Sequence, residues 1–213
     1  MTRTSVPTPR FLAGEALVLF GGVPALFLFP VPREVTGPTM LLAAGYAAVQ
    51  GYRSRLVPKG SFGLNGYRRF GPILVMFGLF AGGSTVAVAL FAPDQLFAVV
   101  RNDPRLWLLM LFVYCVFSVY PQTLLYRMFF LERYRRVFPN RAALVLANAV
   151  AFSWAHNIIP HPLVYALTAA GGILFSLTWL RSRSAVAVAL EHALYGFWLF
   201  TVGLGSYFAF PGS

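Results

Sequence analysis

Residues 106–131 read LWLLMLFVYCVFSVYPQTLLYRMFFL, an apolar run whose one charged side chain is Arg127. As a helix rising about 1.5 Å per residue it is longer than the roughly 30 Å hydrocarbon core of a bilayer. The run therefore predicts a transmembrane helix. A window of about 20 residues finds six more apolar segments. They cover Phe11 to Pro30, Pro38 to Tyr52, Gly71 to Pro93, Arg141 to Ile159, Pro162 to Leu180 and Ser184 to Phe208. Together they predict an all-α, polytopic transmembrane bundle of about seven helices forming a single domain over residues 1–213.

Composition agrees, because 58% of the 213 residues are hydrophobic and only 11% charged, with a mean hydropathy of +0.69. A soluble domain of this length exposes far more charge. The excess of 17 Lys and Arg over 6 Asp and Glu raises nucleic acid as a partner. The basic residues, however, sit in short clusters between apolar runs, which is how loops facing the cytoplasm are built. The expected partner is the bilayer, and no nucleic acid. Placing the N-terminus inside puts Arg3, Arg10, Arg53, Arg55, Lys59, Arg68, Arg69, Arg133, Arg135, Arg136, Arg141, Arg181 and Arg183 on one side. Only Arg33, Arg101 and Arg105 fall outside, so the expected topology is N-terminus in and C-terminus out. The first segment then reads as an uncleaved signal anchor. The expected location is a cytoplasmic membrane of prokaryotic type.

The lone Cys115 lies inside an apolar run, where packing accounts for it. Gly78, Gly82, Gly83 and the stretch Ala169 to Gly172 suit close helix packing. No internal repeat or paired broken helices are visible, which argues against a transporter.

Ionisable groups inside a membrane are functional candidates by default. Here they are Glu15, Arg127, His156, Glu191 and His192, with Gln122, Thr123, Asn148 and Asn157 as uncharged companions. Glu15 reads as a protonated carboxyl hydrogen-bonded within the bundle, Glu132 as a solvated loop charge, and His161 as a surface residue in a turn. Asn148, Phe152 and His156 are spaced by four and share one helical face, as do His192 and Gly196. Helical rise places Arg127, His192, Gln122 and His156 roughly 9, 12, 16 and 22 Å from the cytoplasmic edge, within reach of one site. Two neutral histidines can position a water, or bind a divalent metal with a carboxylate as third ligand. No cofactor is required by the sequence, and metal-free chemistry is equally compatible.

Pro121-Gln122-Thr123-Leu124-Leu125-Tyr126-Arg127, then Phe152-Ser153-Trp154-Ala155-His156, then Glu191-His192-Ala193-Leu194-Tyr195-Gly196 follow one another on the fourth, fifth and seventh segments. In this order they resemble the three motifs of the CAAX protease and bacteriocin-processing family of intramembrane endopeptidases. That pattern has two adjacent glutamates four residues before an arginine, a phenylalanine four before a histidine, and a histidine four before asparagine or aspartate. The resemblance spans residues 106–208 and implies hydrolysis of peptide bonds in membrane-embedded or membrane-anchored substrates. It implies water positioning and oxyanion stabilisation by Arg127, His156 and His192. Gln122 and Thr123 stand where the glutamates belong, and Gly196 where the asparagine belongs. Two expectations follow: an endopeptidase that works with a substitute carboxylate, Glu191, or with much reduced activity; and, in its place, a non-catalytic membrane scaffold or binding protein of the same fold.

Overall fold

The computed structural model describes residues 7–29, 33–54, 56, 58–63 and 70–208. Arg3, Arg55, Arg68 and Arg69, which helped to set the expected topology, lie outside them. Every regular element among the described residues is helical. In chain order these are α1 (Pro9–Leu28), α2 (Arg33–Arg53), α3 (Phe70–Phe91), the short α4 (Ala98–Asn102), α5 (Pro104–Arg133), α6 (Arg141–Trp154), α7 (Pro162–Ser182) and α8 (Ala185–Val202).

The helix starts are written in the sequence. Thr8, Asp103 and His161 each accept a hydrogen bond from a first-turn N–H and each precede a proline at the first helical position. Proline is preorganised there and lacks only an N–H that would go unused. Asn140 caps α6 and Ser184 caps α8 in the same way without the proline. His161 also packs its ring against that of Tyr207, tilted at 46° with centroids 4.9 Å apart, so it is a capping residue and not merely a surface one.

Five helices, α1, α3, α5, α7 and α8, are long and apolar enough to cross a membrane. The other two expected spans fall on α2 and α6. Helix α6 is shorter than expected, since it ends at Trp154 and the apolar run to Ile159 continues as turns. Its 14 residues rise only about 21 Å, short of the roughly 30 Å core. At its end Trp154 Nε1 donates to the Gly21 carbonyl, and beyond it Asn157 Nδ2 donates to the Pro24 carbonyl, both at 2.9 Å. These bonds satisfy α1 where it passes through a π turn at Val18–Gly22 and then Pro24. In lipid such backbone groups must find protein partners.

The main core gathers Leu125, Tyr126, Phe129 and Phe130 of α5 around Phe20 of α1, with Phe152, Phe175 and Trp179 from α6 and α7. Helices α6 and α7 touch backbone to backbone: a Cβ on Gly172 would lie 2.7 Å from the Ala149 Cα. Gly78, Gly82 and Gly83 of α3 have nothing within 4 Å, so only the α7 glycine fulfils the close-packing expectation.

Two acidic residues differ from their sequence reading. Glu15 is ion-paired with Arg133, at 2.5 and 2.8 Å, and accepts from Tyr46 at 2.5 Å, fastening α1 and α2 to the end of α5. Glu132 accepts from Trp179 Nε1 at 2.9 Å and pairs with Arg183, with only 10% of its side chain exposed. The charge clustering of the α5 end concealed both, because a loop charge and a tertiary ion pair look alike in sequence.

Candidate active site

Helix α5 is not a regular α-helix at its centre. It contains π-helical stretches at Tyr114–Val119 and Thr123–Phe130 on either side of Pro121. Proline withholds one ladder N–H, and widened turns of this kind commonly occur at functional positions. The second stretch carries Arg127 into the bundle, where it is 1% exposed.

The Phe152 ring is the common neighbour of the three family-pattern residues. The Arg127 guanidinium lies over it at 4.5 Å, the His156 ring meets it edge-on at 4.9 Å, and the His192 ring at 5.6 Å. His192 also stacks on Phe175 of α7 at 4.7 Å. His156, in the turn beyond α6, contacts the Phe152 carbonyl through Nδ1 at 2.7 Å, which fixes the ring to the last turn of that helix and leaves Nε2 as the nitrogen that can face a ligand. Helices α5 and α8 and the turn that follows α6 thus bring one guanidinium and two imidazoles to a single aromatic ring.

Arg127 holds its charge without a carboxylate. One guanidinium nitrogen donates to Asn148 Oδ1, and Asn148 is itself held by donating to the Tyr126 carbonyl and accepting from Ser176 Oγ, each at 2.8 Å. The rings of Phe152, Phe175 and Tyr126 surround the cation at 4.5, 5.6 and 5.9 Å. Desolvated cation–π contacts are worth about 2 kcal/mol or more, and they offset part of the cost of the buried charge. Nε and Nη2 have no hydrogen-bond partner.

The replaced positions separate. Thr123 is 1% exposed and its hydroxyl has no partner. Gln122 donates to Ser118 at 2.9 Å and lines a cleft of about 190 Å³ with Leu41, Ala44 and Leu125, toward α2. Glu191 is 2% exposed, and its Oε2 is unpartnered. Among the described residues the ion pairs are Glu15–Arg133 and Glu132–Arg183, so no carboxylate oxygen lies within 4.0 Å of Arg127, His156 or His192. No group of three or more His, Cys, Asp or Glu among the described residues is placed to hold a metal. His156 and His192 alone fall short of the three protein ligands of a catalytic zinc site.

Residues 104–198 match the family model described as type II CAAX prenyl endopeptidase Rce1-like. The match supports the CAAX protease family. It covers somewhat under half of the chain and contains every residue of the Phe152 cluster. No curated protein and no solved structure matches. Five apolar helices and an Rce1-like segment make this an integral, multi-pass membrane protein. Sequence reading singled out Asn148 by its spacing from His156, but gave no sign of Ser176, Phe175 or Tyr114, whose only signal is an uninformative place on apolar helices.

Proposed function

We propose that this chain is a CAAX-protease-type intramembrane endopeptidase, acting on peptide bonds of membrane-associated substrates with a weakened hydrolytic step. The observation that carries the reading is the convergence of Arg127, His156 and His192 on the Phe152 ring within the Rce1-like segment. The free Nε2 of His156 and the imidazole of His192 are suited to hold a water. The unpartnered N–H groups of Arg127 are suited to receive charge developing on a carbonyl oxygen. Activation of the water is the weak step, because general-base help is worth about 10²- to 10⁴-fold and the family's carboxylate positions hold Gln122 and Thr123. The carboxylate next to a site histidine in the chain is Glu191, which is 2% exposed.

A second reading, a non-catalytic binding protein of the same fold, is favoured by one observation: among the described residues no carboxylate oxygen lies within 4.0 Å of either histidine. Purified protein in lipid, incubated with membrane-anchored peptides, separates the two. Slow cleavage that disappears in His192→Ala supports the enzyme. Equal background in wild type and His192→Ala supports the binding protein.

A further inference from the structure

Tyr114 lies one π stretch ahead of Gln122 on α5, and its ring spans three residues of α8 spaced by four. It meets the His192 ring edge-on at 6.1 Å and the Phe200 ring at 5.2 Å. Between them, a Cβ built on Gly196 would stand 1.8 Å from the Tyr114 hydroxyl oxygen and 2.7 Å from its Cζ. Neither Tyr114 atom is the loose end of a flexible chain: the ring is 9% exposed and wedged in the cluster of Val99, Met110 and Phe197. The absence of a side chain at 196 and the presence of the tyrosine are therefore one feature. Glycine opens a notch one helical turn from His192, and the phenol fills it.

We propose that Tyr114 is a positioning residue of the histidine site. Its ring, seated in the Gly196 notch, meets the His192 imidazole edge-on and holds it against Phe175. This rests on the endopeptidase reading for its consequence in turnover, but the positioning itself is observable without turnover. The chain has three histidines, so the ring nitrogens of a ¹⁵N-histidine-labelled sample in lipid nanodiscs are few enough to assign.

Tyr114→Leu removes the ring that meets His192. It is expected to shift the His192 ring resonances while leaving those of His161 in place, and to lower any peptide turnover, whereas Tyr114→Phe, which keeps the ring, is expected to leave both near the wild type. Gly196→Ala is expected to lower the melting temperature. Unchanged His192 resonances in Tyr114→Leu overturn the proposal, and so does a Gly196→Ala protein that melts like the wild type. A wild type with no turnover, whose His192 resonances still respond to Tyr114→Leu, removes the endopeptidase reading and leaves the positioning role standing.

Discussion

Replacing Asn148 with leucine removes an amide that serves three helices at once. Its Oδ1 accepts from Arg127 of α5 and from Ser176 of α7, and its Nδ2 donates to the Tyr126 carbonyl. Neutral hydrogen bonds between membrane helices average about 0.6 kcal/mol each. A bond to a charged group is worth about 1.5 to 3 kcal/mol. The sum predicts a loss of about 3 to 4 kcal/mol, concentrated on Arg127, whose Nε and Nη2 already lack partners. Unfolding in mixed micelles of increasing SDS content measures it. A double-mutant cycle with Arg127→Leu isolates the cationic share, with an expected coupling of about 1.5 to 3 kcal/mol. A coupling near zero would show that the aromatic rings alone hold the guanidinium, and would refute the view that Asn148 stands in for the missing carboxylate.

Three further outcomes are expected. Glu15→Gln strands Arg133 at the end of α5 and should cost about 3 kcal/mol, the low end for a broken buried pair, with Glu15→Gln/Arg133→Met recovering most of it in the same unfolding assay. Gly172→Ala drives a Cβ into the Ala149 backbone and should destabilise by about 1 to 3 kcal/mol. Gly78→Ala and Gly82→Ala, which meet nothing within 4 Å, should be neutral or slightly stabilising by thermal denaturation, since alanine favours helix by up to about 1 kcal/mol.

The helical bundle was legible because a bilayer leaves a long, low-charge run few alternatives, and the expected segments fall on α1, α2, α3 and α5 to α8. Helix α6 was overread, since the stretch from Ala155 to Ile159, with His156 and Asn157 in it, leaves the helix as turns and Asn157 bonds α1. The three motif residues were singled out by spacing within single segments, the one kind of proximity that sequence records, although the structure ends α6 before His156. What sequence could not convey was rotation and tertiary pairing. Gln122 and Thr123 are neighbours in the chain, yet one lines the cleft toward α2 and the other is sealed in the core. Glu15 and Arg133 are 118 residues apart and form one ion pair. Tyr114 and Gly196 make sense only together, and neither position alone signals the other.

Thr123→Glu bears on the missing carboxylate itself. Position 123 lies four residues before Arg127 on the same wide-turned helix, so a glutamate there would face the two unpartnered N–H groups and add a base beside the histidines. Cleavage of a membrane-anchored peptide by purified protein in lipid is the measurement, with wild type, Thr123→Glu and Glu191→Gln run side by side. The expected result is slow cleavage by the wild type, a rise of up to about 10²- to 10⁴-fold in Thr123→Glu, and little change in Glu191→Gln. Robust cleavage by the wild type that Glu191→Gln abolishes, with the protein still folded, would contradict the weakened-enzyme reading and make Glu191 the base.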